Sequence, residues 1–577
     1  MHPLNDDARS TERQRGRVRA KSFVRAFALT IAAVTTASCA GNRMMPVEPQ
    51  LTPLVQQDPS TLTQAALRNF LMTKKKPGES LQPDRLHAFY ELRDYRPAWT
   101  LSTAAEVRAV LARAHEQGLR DEDYRLPPAT RLAPGAPSAA YDIAVTGALL
   151  RYAADVRIGR FKPQEIYEDS LLPDASFDSV AVLNAALTNG SMARFFAVLP
   201  PPHAEYRRLA VALAHYRAIA DKGGWDALPD GSAIRLDGKD ARLSALIHRL
   251  SIEDPDLAAL AKPSTAQLRD AVKRFQARNG LDQDGQVGGA TLAALNVPAE
   301  TRVQQIAANM ERWRWVPAFE HRYVAVNVPD QSVRFVRDGE TLLTSKVVVG
   351  RASSPSPIIR SEIKAVVVNP PWNIPGDIAA RDLLPKLRKN PNYLRANNMV
   401  VTDGPRNDPY GRTIDWRKVI PAEFPYAIKQ LPGPKTALGA VMLDSPNDFD
   451  VYLHDTPNKK LFVSNQREIS NGCIRVQQIF PLASLALTDD PDEGMAMLNK
   501  VVRTRETTRI ELDAPLPVYF LYWTAMAGTD GTVEFRPDRY GRDRALIAAL
   551  TKTDPGADAV SMAMGDRDAP EEDDVSP

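Results

Sequence analysis

Cysteine is almost missing from this chain. Only Cys39 and Cys473 occur in 577 residues, which excludes a disulfide scaffold and a four-thiolate zinc site. The eight histidines form no His-x-x-x-His pair and have no cysteine at ligand spacing, so a histidine-based metalloenzyme is set aside as well. Neither sign of charge dominates: 73 Lys plus Arg face 70 Asp plus Glu, a net charge of +3. Nothing in that balance calls for a nucleic-acid partner. After residue 40 no run is long and apolar enough to span a bilayer. What is present is ample chain for several cores, at ~100–200 residues per domain, and 46 prolines, above the usual ~5% and suited to ordered turns and linkers.

The N-terminus runs from basic residues (Arg13, Arg15, Arg17, Arg19, Lys21, Arg25) through an apolar stretch, Phe27 to Ala37, to small residues around Ser38-Cys39-Ala40. That order reads as an export signal over residues 1–39. Thr36-Ala37-Ser38-Cys39 also resembles a lipoprotein cleavage box, so two outcomes stay open: plain cleavage, or lipidation of Cys39 and a membrane tether.

Residues 40–60 read as a linker. Apolar residues then recur every three or four positions, as in Ala105 to Leu111 and Ala148 to Ile158, predicting a helical scaffold over 61–240. A helix with Leu268, Val272 and Phe275 on one face, a turn at Asn279-Gly280 and a short helix from Thr291 mark a small module within 241–300. Its Asp282-Gln283-Asp284-Gly285 loop lacks the twelfth-position Glu of a calcium loop. A connecting helix is expected over 301–321, with Trp313 and Trp315 as packing elements. From Arg322 the period changes to two, in Tyr323 to Val328, Ser332 to Val336 and Lys346 to Gly350, which predicts an antiparallel sheet. The strand pattern lapses between Pro370 and Gly439, an insertion of the size of a lid, and resumes at Ala440 to Leu443 and Val451 to His454. After Thr553 the chain is acidic without apolar period and is expected to be a disordered tail over 553–577.

Chemistry concentrates in His454-Asp455-Thr456-Pro457 and Ser470-Asn471-Gly472-Cys473-Ile474-Arg475. A nucleophilic thiol needs a base within reach and a turn that exposes its sulfur beside free N–H groups. Gly472 permits such a turn. Cys473 and His454 are the only cysteine and histidine after residue 321, so a Cys–His dyad in the sheet domain has to be this pair. The plain alternative is a buried cysteine and an inert histidine. Ser361-Glu362-Ile363-Lys364 matches a penicillin-binding motif by chance, because it reads as strand, where positions three apart point to opposite faces.

His454, a gap of fifteen residues and then Ser470-x-Gly472-Cys473-Ile474-Arg475 resemble the signature of the L,D-transpeptidases with a YkuD-type catalytic domain, although Asn471 stands where most members have His. Val272-x-x-Phe275-Gln276, Gly280-Leu281, Asp284-Gly285 and Gly289-x-Thr291-Leu292 resemble a peptidoglycan-binding module. Phe89-Tyr90-x-x-Arg93 through Trp99 and Gly159-Arg160 are similar to the scaffold of the large periplasmic Gram-negative members. The resemblance implies an α+β multidomain fold: a helical scaffold, a three-helix module, a mainly antiparallel catalytic domain over 322–515 with a capping insertion at about 372–438, and a C-terminal extension over 516–552.

The same resemblance implies acyl transfer in the periplasm without metal or organic cofactor. Cys473, activated by His454, takes the acyl group of a peptidoglycan tetrapeptide stem as a thioester and expels D-alanine; an amine of a second stem then forms a 3-3 crosslink. Backbone N–H groups around Gly472 and Cys473 are the expected oxyanion donors, and carbapenem-type inhibitors are expected to acylate Cys473. Arg475 either holds a stem carboxylate or pairs with an acidic neighbour. Ser470 and Asn471 are placed at the substrate. Tyr452 either lines the pocket or packs in the core, and Trp372 either covers the donor peptide or anchors the insertion. Asp455 is not expected to orient His454 with its side chain. Two other functions compete: a cysteine carboxypeptidase or amidase on the same fold, and a non-catalytic wall-binding protein.

Overall fold

The computed structural model describes residues 59–73, 83–126 and 138–552. The export signal with Cys39, the linker up to residue 58 and the acidic tail at 553–577 lie outside the described residues. Among those described, the protein is a mixed α+β chain, as its periodicities require.

The scaffold is organised by the helix Ala139–Ile158, buried from Tyr141 through Val156. Such a helix can hold a charge only where hydrogen bonds replace water. Asp142 accepts the Tyr90 hydroxyl at 2.6 Å and the N–H groups of Ala98 and Trp99 at 3.1 Å. That one carboxylate explains why the Tyr90 and Pro97-Ala98-Trp99 segments belong together. This core ends at Leu199. The next helix, Ala204–Ala220, sends Tyr206, Leu209, Leu213 and Tyr216 into the core of the sheet domain instead. The small module's core begins at Leu228, and Ile234 bridges to Val287, so the expected borders at 240 and 241 are displaced. Inside it, buried Gln276 donates to Asp284 at 2.7 Å and Thr291 at 3.1 Å, which ties the loop motif to both helices.

The segment read as a connector is a buried pillar. In the helix Ala299–Trp315, Glu311 and Arg314 pair at 2.5 Å with no exposure of either side chain. Glu311 also accepts the N–H groups of Arg160 and Phe161 at 2.6 and 3.1 Å. Gly159 makes this possible: at φ +94° its missing side chain leaves room for Glu311 and Trp315, which a Cβ would approach to within 2.8 and 2.9 Å. Trp313 stacks on Trp523 at 4.1 Å between ring centres.

The sheet domain consists of β1 (Arg322–Asn327), β2 (Ser332–Arg337), β3 (Glu340–Gly350), β4 (Ile358–Val368), β5 (Trp372–Ile374), β6 (Met399–Val401), β7 (Ile428–Gln430), β8 (Val441–Asp444), β9 (Leu453–His454), β10 (Glu468–Ser470), β11 (Ile474–Val476) and β12 (Thr508–Leu521). The main sheet runs β4–β12–β1–β2–β3–β11–β9–β8, and β8 also pairs with β4, so the ribbon closes on itself. Closure removes free edges around the site. Most pairings are antiparallel; β9 with β11, β12 with β1 and the side pairing of β10 with β3 are parallel. The expected domain border at 515 falls inside β12, which pairs with β4 and β1 through Phe520. Its register shifts between Glu511 and Leu516, where Pro515 interrupts the ladder and makes one strand look like two.

The insertion has its own sheet, ordered β5–β7–β6, and its own core around Leu384, Leu394 and Trp416. Trp372 packs against that core, which favours the anchoring alternative.

Removing Glu311 leaves buried Arg314 without an opposite charge, held only by the Tyr206 hydroxyl and the Gln117 carbonyl. Glu311→Ala is therefore expected to destabilise the protein by about 3–5 kcal/mol, read as a shift in the denaturation midpoint of the full chain; a change under about 1 kcal/mol would show that the pair does not organise the pillar.

Candidate active site

Cys473 follows a turn and immediately precedes β11, between β3 and β9. The parallel register pairs Leu453 with Ile474 and His454 with Arg475. Side chains paired across strands share a face, and positions two apart on a strand do too. His454 and Arg475 are thus neighbours, and extending the register by one residue sets Tyr452 beside Cys473. Ile474 N–H donates to the Tyr452 carbonyl at 3.0 Å, which fixes this alignment.

The turn is built by three residues. Gly472 sits at φ +113°, a backbone region that side-chain-bearing residues rarely adopt. Buried Ser470 accepts the Gly472 N–H at 3.2 Å and donates to the Cys473 carbonyl at 2.7 Å. Its hydroxyl is therefore occupied within the turn rather than facing substrate, and the Gly472 N–H is committed as well. Ser356, fully buried, donates to the Gly472 carbonyl at 2.6 Å and accepts the Gly350 N–H at 3.0 Å. Carbonyl and N–H point opposite ways across a trans peptide. By holding the Gly472 carbonyl inward, Ser356 turns the Cys473 N–H the other way. No acceptor for that N–H is found among the described residues. Of the two expected oxyanion donors, Cys473 is the one left available.

The thiol is half-buried and donates to the Asp450 carbonyl at 3.7 Å. The thiol thus donates to a backbone carbonyl and not to the imidazole, contrary to the expected close dyad; His454 lies diagonally across the β9–β11 pair. Burial pushes the Cys473 thiol up from its ordinary 9.0, against the Tyr452 N–H and the Arg475 charge, which pull it down. His454 is 4% exposed. Its Nδ1 lies 2.6 Å from the Asp455 carbonyl, which can only accept, so Nδ1 carries the proton and Nε2 keeps its lone pair. Burial, then the Arg475 charge, lower the His454 pKa to about 4, outweighing the Asp455 and Leu438 carbonyls. The Asp455 carboxylate itself faces away, taking Lys459 at 2.5 Å and the Ala440 N–H at 2.9 Å.

Tyr452 packs edge-on to the His454 ring, centres 5.9 Å apart. Arg475 has no ion-pair partner among the described residues, and its Nε is buried without an acceptor. No acidic neighbour pairs with it among the described residues; burial lowers its pKa, and negative charge developing on the Cys473 sulfur would offset that cost. Asn471 is exposed and accepts from two arginines that sequence reading did not single out, Arg351 after β3 and Arg381 in the insertion. Ser356 was missed too. All three lie more than 85 residues from Cys473 and in no motif, so only the folded loop contacts reveal them.

Against known proteins, residues 321–501 match the model of the L,D-transpeptidase catalytic domain, residues 84–213 that of a scaffold domain, and residues 262–295 that described as "Putative peptidoglycan binding domain". A Haemophilus influenzae protein named "Putative L,D-transpeptidase" is 37% identical over 246 residues, 43% of this chain and 49% of its own length. This chain therefore spans about half of that relative. Among solved structures, an L,D-transpeptidase from Mycobacterium smegmatis is 11% identical over 35% of this chain and 58% of its own, TM-score 0.16. One from Xylanimonas cellulosilytica is 14% identical over 51% and 98%, TM-score 0.16. Overlaps that low add nothing to the fold described above. The chain thus carries regions similar to a scaffold domain, a peptidoglycan-binding domain and the YkuD L,D-transpeptidase catalytic domain.

Burial favours the neutral form of both groups, raising the thiol and lowering the imidazole. Alkylation of Cys473 by iodoacetamide, followed by mass spectrometry from pH 5 to 10, is therefore expected to climb with a midpoint above 9. A plateau below pH 7 would contradict this and indicate a resting thiolate–imidazolium pair.

Proposed function

We propose that the protein is a cysteine L,D-transpeptidase that joins peptidoglycan stems by 3-3 crosslinks. The observation that carries this reading is the outward-turned Cys473 N–H beside a half-buried thiol, with a neutral His454 held in one tautomer on the adjacent strand.

In the proposed reaction the thiol sulfur attacks the carbonyl carbon between the L-centre and the terminal D-alanine of a tetrapeptide stem, while Nε2 of His454 takes the thiol proton. With the thiol raised and the imidazole lowered, this transfer is unfavourable in the free protein and proceeds as the S–C bond forms. The carbonyl oxygen becomes an oxyanion beside the Cys473 N–H, a contact of a kind worth ~3–4 kcal/mol. The imidazolium then gives its proton to the departing D-alanine amine, leaving a thioester. An amine of a second stem attacks the thioester, His454 takes its proton, and the thiol is restored. Arg475, close to both groups and without a carboxylate of its own, stabilises negative charge on sulfur and keeps the imidazole neutral.

The rest of the chain supports a wall substrate: the peptidoglycan-binding domain supplies retention, and the insertion covers the site. The reaction is proposed to take place in the periplasm, where the signal read over residues 1–39 would deliver the chain, with Cys39 as a lipidation site or as part of the removed segment. Acylation by a carbapenem is expected at the same sulfur.

Incubation with disaccharide-tetrapeptide is expected to yield D-alanine and a crosslinked dimer, both absent for Cys473→Ala; tripeptide monomer alone would show that water resolves the thioester and contradict the transpeptidase reading. The acid limb of kcat/KM should fall near pH 4, following His454, and a limb near 6.5 would contradict its burial. Ser356→Ala should lower kcat on the order of 10-fold by freeing the Gly472–Cys473 peptide with KM little changed; an unaltered kcat would remove Ser356 from the oxyanion site.

A further inference from the structure

Two arginines meet on one neutral oxygen at the mouth of the site. Arg351 and Arg381 both donate to the Asn471 side-chain carbonyl, the second at 2.8 Å. Arg381 belongs to the insertion, and Asn471 lies two residues before Cys473. Arg381 is compensated by Asp382, at 3.0 and 3.1 Å, and more distantly by exposed Asp377 at 4.0 Å. Arg351 has no such partner: its N–H donates to the Ser470 carbonyl, its Nη2 meets only the neutral amide, and its Nε is buried without an acceptor. Asp382 is near enough for its carboxyl to be lowered by Arg351, although no ion pair forms between them. Two forked cations converging on a single neutral acceptor are a poor match for each other. They are well matched to a carboxylate, which offers each guanidinium an oxygen.

We propose that Arg351 and Arg381 form a carboxylate clamp that reads a carboxylate of the peptide stem and, because one arginine stands on the insertion and the other on the sheet domain, draws the cap onto the bound substrate. Asn471 holds the two guanidinium groups in place between ligands. The clamp rests on the proposed acyl-transfer reading for the identity of its ligand, since a tetrapeptide stem carries a terminal D-alanine carboxylate beside the scissile bond and another on its diamino acid. It also gives Asn471 a purpose where an imidazole is usual in the family: an amide oxygen accepts from both arginines at every pH, and an imidazolium would repel them.

The test measures equilibrium binding to the full chain carrying Cys473→Ala, with three probes: the tetrapeptide acid, its C-terminal carboxamide, and the peptide amidated at the diamino-acid carboxylate. The acid is expected to bind ~10- to 100-fold more tightly than one of the two amides, and which amide is weak identifies the carboxylate read. Arg351→Gln and Arg381→Gln should erase that difference, and Arg381→Lys should retain part of it. Asn471→Asp, which changes the fold least, should erase it as well by installing a resident carboxylate between the arginines. Equal binding of all three probes, or an equal loss for acid and amides in the arginine variants, would overturn the clamp. D-alanine release by the chain with Cys473 intact reads the proposed reaction separately: release without acid preference leaves the reaction standing and removes the clamp, and acid preference without release does the reverse.

Discussion

The parallel pairing of β9 with β11 is the constraint on which the site depends. These are two very short strands, yet their register decides that His454, Arg475, Tyr452 and Cys473 share one face. Short strands hold a register only when their neighbours hold it for them. Here β11 is flanked by β3 and β9 by β8, and the closure of β8 onto β4 completes a ring in which no strand can slip without moving the rest. A slip of one residue at β11 would turn Cys473 and Arg475 to the opposite side and leave His454 without either.

The turn before β11 has a second support that reaches well beyond the catalytic domain. Ser356 holds the Gly472 carbonyl, and the loop that carries Ser356 is held by Tyr540, whose hydroxyl donates to the Gly350 carbonyl at 2.5 Å. Arg542 continues the chain of contacts to the Ser356 carbonyl and to Asp169. The C-terminal extension and the segment after the scaffold helices thus brace the peptide whose N–H faces the substrate side. Residues of the C-terminal extension and the segment at Asp169 therefore support the turn that carries Cys473, and the pillar helix Ala299–Trp315 concentrates buried charges where these regions pack. Three of its four buried charges are matched, Glu311 to Arg314 and Arg312 to Asp543 at 2.6 Å, and Arg302 is held by the neutral side chains of Gln305 and Asn279.

Much of this was legible in the residues. The change of period at Arg322 located the sheet, the lapse after Pro370 located the insertion, and the scarcity of cysteine and histidine left one candidate pair. What was not legible follows from how folds close. The border at 515 failed because Pro515 and Pro517 hide the continuity of β12, which only pairing on both sides restores. The small module was begun too late because Leu228 and Ile234 sit in a Gly- and Asp-rich stretch without period, and join the core through a bridge to Val287. Ser356, Arg351 and Arg381 carry no local signal, since their importance comes from loops that meet at Gly472 and Asn471. Ser470 was assigned outward from its motif, whereas the turn geometry occupies its hydroxyl.

The central claim is that Cys473 becomes acylated by a stem peptide. It is tested most directly by intact-protein mass spectrometry after rapid acid quench of a reaction with tetrapeptide donor and no acceptor, followed by peptide mapping. The account predicts an adduct of the tetrapeptide minus D-alanine, mapped to Cys473 and lost on treatment with hydroxylamine. Donor turnover with no adduct on Cys473, or an adduct mapped to another residue, would contradict it.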